Sequence, residues 1–125
     1  MNPASETDGK ARILLVDDNA DVLEVMSALF GMYGHEVATA TTPDAAIDLI
    51  STFHPDLAIL DVGLPGMNGY ELAAELRRVH GDGAPLRLIT LSGYGRDIDL
   101  QRSAEAGCER HLVKPVDFDE LLRLI

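Results

Sequence analysis

The stretch RILLVDDNADVLEVM, residues 12–26, decides the fold. Its apolar run at 13–16 is typical of a buried β-strand, and this run leads directly into Asp17 and Asp18 before a segment with helix-forming character. Two adjacent carboxylates at the end of a buried strand repel each other and raise each other's pKa. We therefore expect a compensating group near Asp17 and Asp18.

Further β-rich runs recur along the chain and alternate with amphipathic segments. With the first run they predict five strands, at residues 12–16, 36–40, 57–60, 86–91 and 111–113. Between the first two, the i, i+3, i+4, i+7 spacing of apolar residues predicts a first helix with one buried face, formed by Val22, Val25, Met26, Leu29 and Tyr33.

The starts of three later helices are marked by capping residues. Thr42 precedes Pro43 at the first helical position, Asn68 is followed three residues later by Glu71, and Asp117 is followed in the same way by Glu120. The fourth helix, expected within residues 95–107, has the weakest apolar pattern.

The order βαβαβαβαβ, with strands that are apolar throughout, predicts a parallel sheet covered by helices on both faces. We assign this doubly wound α/β domain to residues 11–125 and interpret the polar residues 1–10 as a disordered tail or linker.

Charge and composition limit the class of partner. The net charge of −11 disfavours direct binding to nucleic acid or to an anionic membrane, so that a protein or a cation is the expected partner. Cys108 is the only cysteine, and no signal peptide or spanning apolar run is recognisable. These features predict a cytoplasmic protein.

Chemically active side chains follow four of the five predicted strands. Asp17 and Asp18 follow the first strand, and the third, fourth and fifth end in Asp61, Ser92 and Lys114. The carboxyl ends of parallel strands share one edge of a sheet, so these groups should lie together. Clustered carboxylates bind Mg²⁺, a carboxylate can be the nucleophile in phosphoryl transfer, and an ammonium neutralises phosphoryl charge. Asp61, on the central strand, is the best-placed nucleophile.

Taken one at a time, the same residues have structural explanations. Asp17 or Asp18 could cap the first helix, Asp61 and Ser92 could be turn residues, and Lys114 could be a solvated surface cation. Their joint pattern favours a functional site.

The full set of motifs resembles the receiver domain of two-component response regulators. The resemblance rests on Asp17 and Asp18, on DVGLPGMNG around Asp61, on Ser92 followed by a small residue, and on the Lys-Pro pair at Lys114, and it covers residues 11–125. It implies a flavodoxin-like, five-stranded sheet in the order 2-1-3-4-5.

The resemblance also implies roles for individual residues. Asp61 would be phosphorylated from the phosphohistidine of a histidine kinase or a histidine phosphotransfer protein. Mg²⁺, with Mn²⁺ or Ca²⁺ able to substitute, would be held by Asp18, Asp61 and the backbone carbonyl of Gly63, and Asp17 would act through a metal-bound water. Lys114 would pair with Asp61 and then with the phosphoryl group.

Further implications concern the output of the domain. Ser92 would move to the phosphoryl group and change the surface of the fourth helix, fifth strand and fifth helix. The domain would speed the loss of its own phosphoryl group, turn over no external substrate, and be a monomer or a weak phosphorylation-dependent dimer.

Two residues depart from the common receiver pattern. Ser92 stands where Thr is more frequent, and His111 stands where Tyr or Phe is frequent; His111 is either part of the switch or an exposed residue of an edge strand.

The last helix is short, which suggests a piece of a longer protein or a missing final turn. LSGYG and HLVKPVD are most similar to receivers fused to histidine kinases.

Three other functions are less well supported by the residues. A phosphatase of the haloacid dehalogenase type would need an acid two residues after Asp61, where the chain has Gly63. A nucleotide-binding module would need glycines in the acidic loop after the first strand. A receiver kept only as an interaction surface is disfavoured because all the active residues are present.

Overall fold

The computed structural model describes residues 10–63, 68–81, 85–92, 101–102 and 104–125. Its five parallel strands form one sheet in the order β2-β1-β3-β4-β5, as predicted from the resemblance. The strands are β1 (Arg12–Val16), β2 (Glu36–Ala40), β3 (Leu57–Asp61), β4 (Arg87–Ser92) and β5 (Arg110–Val113). They differ from the predicted runs by at most one residue at either end.

Three helices connect the strands that the sequence predicted them to connect. They are α1 (Ala20–Met32), α2 (Pro43–Phe53) and α3 (Gly69–His80). The Thr42 hydroxyl accepts from the Ala45 amide, and Asn68 and Glu71 form the predicted capping box. Most of the predicted fourth helix lies outside the described residues, although 101–102 and 104–105 are helical.

The C-terminal helix (Phe118–Leu124) has seven residues and is as short as predicted. Asp117 is its N-cap, but its carboxylate accepts from the Asp119 amide at 3.0 Å, so the capping box expected with Glu120 is replaced by a tighter turn. Leu121 is 1% exposed and covers the sheet.

Two apolar layers cover the two faces of the sheet. Leu14 and Val16 belong to the layer under α2 and α3, whereas Ile13 and Leu15 belong to the layer under α1 and the C-terminal helix. This alternation follows from the two-residue period of a strand and explains why the strands are apolar throughout.

The predicted buried face of α1 is wrong by about one residue of rotation. Leu23 and Phe30 are buried, and Met26, one of the predicted residues, is partly buried against the same cluster, while Val22, Val25 and Tyr33 are 38%, 59% and 58% exposed. The helix carries two overlapping apolar stripes, and the sheet buries the one that contains the large Phe30 ring. The other stripe is left mainly on the surface, where Val22 and Leu29 line an open cavity beside Asp17 and Lys114.

No helix in the described part of the chain is long and apolar enough to cross a membrane.

Candidate metal and phosphoacceptor site

Two neighbouring strands bring the first acidic residues together. Asp61 is the last residue of β3, and Asp17 follows β1 directly, with its amide donating to the Ala40 carbonyl at 3.2 Å. Asp17 and Asp61 are only 7% and 8% exposed. The sheet therefore fixes both carboxylates at its carboxyl edge.

Asp18 completes an acidic cluster. One carboxylate oxygen from each of Asp17, Asp18 and Asp61 lies within 4.8 Å of the other two, and Asp18 is exposed while the other two are buried. The helix cap is Asn19, whose side chain accepts from the amides of Asp21 and Val22. Neither aspartate therefore serves as the cap of α1, and the alternative explanation for them is wrong.

Lys114 supplies positive charge beside two of the three carboxylates, those of Asp17 and Asp61. Its Nζ lies 3.3 Å from Asp61 Oδ1 and 3.6 Å from Asp17 Oδ2, while its own side chain is 39% exposed. The Lys114 amide donates to the Ser92 carbonyl at 2.7 Å, which extends the pairing of β4 with β5 one residue past the end of β5. The ammonium is thus directed into the cluster rather than into solvent.

Burial raises the pKa of the Asp17 carboxyl. The Asp61 charge and Asp18 act in the same direction, whereas the Asn19 amide, which donates to Asp17 Oδ1 at 2.9 Å, and the Lys114 ammonium act against them. A bound cation would favour the ionised form, because it adds positive charge where desolvation and negative charge now dominate.

Asp61 also takes part in a turn, as its alternative interpretation proposed. The Gly63 amide donates to Asp61 Oδ1 at 3.2 Å, so one carboxylate oxygen is held by both Gly63 and Lys114. The turn and the site are compatible, since the turn fixes the carboxylate relative to the start of the following loop. Gly63 is exposed and lies beside the carboxylates. The family resemblance predicts that its carbonyl binds the metal.

Gly69 positions this region and was missed in the sequence. A Cβ at Gly69 would lie 2.7 Å from Val62 Cα and 2.8 Å from the Asp61 carbonyl oxygen. The first turn of α3 therefore packs directly on the backbone that carries the nucleophile. The only signal in the sequence was the glycine itself, which directly follows a strong helix cap although glycine disfavours a helix.

Ser92 and His111 are joined by a hydrogen bond. The Ser92 Oγ lies 3.0 Å from His111 Nε2, and the Thr90 Oγ1 lies 2.8 Å from His111 Nδ1. His111 is half-buried, and its ring centroid lies 6.1 Å from that of Tyr70. The alternative of a solvent-facing histidine is therefore wrong. Thr90 was missed, although the hydroxyl residues two apart in Thr90-Leu-Ser92 predict a polar pair on one face of a strand.

The chain belongs to the response regulator receiver domain family, whose family model matches residues 13–125. It is a member of the class of receiver domains that function in two-component, phosphorylation-controlled signalling.

Individual relatives agree with this assignment. The chain is 33% identical over 110 residues to the sporulation initiation phosphotransferase F of Bacillus subtilis, covering 88% of this chain and 86% of the relative. It is 34% identical over 110 residues to the two-component response regulator PhoP of Pseudomonas aeruginosa, covering 88% of this chain but 48% of that protein. It therefore spans about half the length of that larger regulator.

The fold agrees with solved structures as well. A CheY-like response regulator receiver domain protein from Methanospirillum hungatei JF-1 superposes with a TM-score of 0.82 at 29% identity, covering 90% of this chain and 88% of the other.

Proposed function

We propose that this domain accepts a phosphoryl group on Asp61 from the phosphohistidine of a histidine kinase or a histidine phosphotransfer protein. The observation that carries the proposal is the contact of Lys114 Nζ with Asp61 Oδ1 at 3.3 Å, inside a cluster of three carboxylates. Asp61 combines burial, a fixed backbone and a cationic neighbour, which are the properties of a positioned nucleophile.

In the proposed reaction, an Asp61 carboxylate oxygen attacks the phosphorus of the donor. A new P–O bond forms while the N–P bond breaks, and the donor imidazole leaves with the electron pair and takes a proton from solvent. Lys114 stays near the transferred group and offsets its charge, because a compact ammonium pairs with phosphate as readily as with carboxylate. Loss of the phosphoryl group to water returns Asp61 to its starting state, and no external substrate is turned over.

The acidic cluster supports a hard divalent cation. Oxygen ligands at this spacing suit Mg²⁺, which takes one or two carboxylates and keeps several waters, and Mn²⁺ or Ca²⁺ could substitute. Asp18, Asp61 and the Gly63 carbonyl would hold the ion, with Asp17 acting through a bound water. When bound, it supplies positive charge that neutralises the oxygens of the transferring group.

We infer that the signal leaves the site through Ser92 and His111. Ser92 would turn toward the phosphoryl oxygens and release or change its hydrogen bond to His111 on β5. The affected surface includes β5, the predicted fourth helix and the C-terminal helix.

A surface for the donor adjoins the site. Val22 and Val25 on α1 are exposed, and an open cavity of about 600 Å³ extends from Asp17 and Lys114 to Met26, Leu29 and Phe118. An apolar helix that carries a histidine could cover this surface while its imidazole reaches Asp61. The exposed stripe of α1 thereby gains a role, because an apolar patch next to a functional site is typical of an interaction surface.

We also propose a cytoplasmic location and no direct contact with nucleic acid or membrane. The net charge of −11 supports the second point, since it would repel phosphate groups. The oligomeric state expected is a monomer or a weak phosphorylation-dependent dimer.

The test is incubation with acetyl phosphate and Mg²⁺, followed by intact-mass measurement. Wild type should gain the mass of one phosphoryl group, and Asp61→Asn should gain none. Asp48→Asn is the matched control, because Asp48 is an exposed aspartate on α2 that should leave labelling unchanged. An unlabelled wild type would contradict the proposal, and steady phosphate release from a small phosphoester would favour the phosphatase alternative.

A further inference from the structure

His111 bridges two hydroxyl groups of the neighbouring strand. Thr90 and Ser92 lie two residues apart on β4, and Thr90 is the register partner of His111 on β5. Both ring nitrogens are within hydrogen-bond distance of a hydroxyl oxygen, at 2.8 Å for Thr90 and 3.0 Å for Ser92. Thr90 and Ser92 are 0% and 5% exposed, so these bonds are shielded from water.

The contacts of Thr90 favour one arrangement of protons. Its Oγ1 also lies 3.4 Å from the Arg110 carbonyl oxygen, which can only accept. If Nδ1 carries the ring hydrogen, it donates to Thr90, Thr90 donates to Arg110, and Ser92 donates to Nε2. In the opposite neutral tautomer, the Thr90 hydroxyl would donate its hydrogen to Nδ1. No hydrogen of this hydroxyl would then be left for the Arg110 carbonyl.

Protonation of the imidazole would reverse one of these bonds. Both nitrogens of an imidazolium donate, so Ser92 would accept from Nε2 and its own hydrogen could point to another acceptor. A phosphoryl oxygen on Asp61 is such an acceptor, because it needs a donor and carries negative charge.

We propose that His111 is a positioning residue that sets the direction of the Ser92 hydroxyl and makes phosphoryl capture pH-dependent. This inference rests on the proposed function of Asp61. Neutral His111 holds the Ser92 hydrogen away from the site, whereas charged His111 lets Ser92 bind the phosphoryl group without giving up its bond to Nε2. An imidazole side chain changes charge between about pH 5 and 8, so physiological pH changes could act on this bond.

Among the residues that the structure describes, few around His111 change charge in this range. Leu112 packs under α1 and the C-terminal helix, so the adjacent His111 faces the α3 side of the sheet. β4 faces the ring with the uncharged Thr90 and Ser92. The ionisable residues described on that side, or next to His111 along β5, include Tyr70, Arg77, His80, Arg102, Glu105, Cys108, Arg110 and Lys114. Of these Arg77 is bound to the Leu86 and Gly107 carbonyls, and Glu105 to Gln101.

The experiment measures beryllofluoride binding in excess Mg²⁺ between pH 8 and 5.5, in wild type and in His111→Phe. The phenylalanine keeps a ring at this position and removes both nitrogens. Effects of pH on the acidic cluster and on the probe are common to both proteins and cancel in the ratio of their Kd values. We expect the Kd of His111→Phe divided by the Kd of wild type to rise about fivefold between pH 8 and pH 5.5. This is the factor in affinity that one net hydrogen bond contributes.

His80→Gln, at the half-buried last residue of α3, is the matched control and should follow wild type at every pH. A ratio that stays constant across the pH range, with both proteins binding the probe, overturns the role of His111 and leaves the proposed function intact. If wild type binds no beryllofluoride at any pH, the proposed function itself fails.

A second measurement needs no variant. The ¹⁵N shifts of the wild-type His111 ring at pH 8 should identify Nδ1 as the protonated nitrogen and Nε2 as the acceptor. The opposite tautomer would overturn the inference even if His111→Phe failed to fold.

Discussion

Replacing Asp18 with asparagine should stabilise the metal-free domain. Asp18 contributes a carboxylate oxygen within 4.8 Å of those of Asp17 and Asp61, and it is the exposed member of the three. At this distance two unit charges in water-like surroundings repel by about 1 kcal/mol, and Lys114 offsets part of the repulsion from its two partners. Asp18→Asn keeps the shape of the side chain and should raise the free energy of unfolding by about 1 kcal/mol.

Mg²⁺ should stabilise wild type much more than it stabilises Asp18→Asn. A cation that binds the folded state at ten times its Kd stabilises wild type by about 1.4 kcal/mol. Asp18→Asn removes a predicted direct ligand, so the same concentration should stabilise it far less. In EDTA the variant should have the higher free energy of unfolding. In millimolar Mg²⁺ this difference from wild type should shrink or reverse.

The assay is urea unfolding at pH 7 and low salt, in EDTA and in Mg²⁺. Asp21→Asn is the control, because Asp21 lies in the first turn of the same helix and outside the cluster. It should not gain stability, since an acidic residue near a helix N-terminus is mildly favourable. An Asp18→Asn protein that is no more stable than wild type in EDTA would refute the repulsion, and an unchanged response to Mg²⁺ would refute the metal assignment.

Three further predictions concern residues around the site and at the edges of the sheet. Gly69→Ala should lower the free energy of unfolding in urea by about 1–3 kcal/mol and slow the labelling of Asp61, because the added methyl group meets backbone atoms. Gly31→Ala, whose added methyl group has nothing within 4 Å, should raise the free energy of unfolding by up to about 1 kcal/mol. Burial lowers the pKa of His35 from 6.5, so the stability that its neutral ring contributes is complete above pH 6.5 and is lost as pH falls through the lowered pKa. Wild type should therefore lose more stability than His35→Gln between pH 7.5 and 5.5, and equal losses would contradict the burial of the ring. The hydrogen bond from Arg87 lowers the pKa of Glu109, and both side chains are 38% exposed, so Glu109→Gln should cost at most about 1 kcal/mol at pH 7. This cost should shrink in high salt and disappear as pH falls through the lowered pKa, and a cost that persists in acid would show that packing rather than charge is responsible.

The strands and most helix starts could be predicted because each depends on local sequence. Continuous apolar runs mark strands buried on both faces, and Thr42 and Asn68 act within one turn of the helices they cap. The cluster of Asp17, Asp61 and Lys114 followed from the topology, since parallel strands place their carboxyl ends at one edge.

The failures share a dependence on tertiary packing. The buried face of α1 was misassigned because Val22 and Leu23 begin two overlapping stripes, and only the shape of the sheet selects between them. Gly69 became significant only when α3 was seen against the Asp61 backbone. The bridge from His111 to Thr90 depends on the register of β4 with β5, which periodicity does not determine.

The most direct test of the account is to locate the phosphoryl group chemically. Wild-type protein labelled with acetyl phosphate in Mg²⁺ is reduced with borohydride, which converts an aspartyl phosphate to homoserine, and the digested chain is sequenced by tandem mass spectrometry. We predict homoserine at position 61, with Asp17 and Asp18 intact and no conversion when EDTA replaces Mg²⁺. Homoserine at position 17 or 18, or a labelled protein without homoserine at 61, would contradict the assignment of Asp61 as the phosphoacceptor.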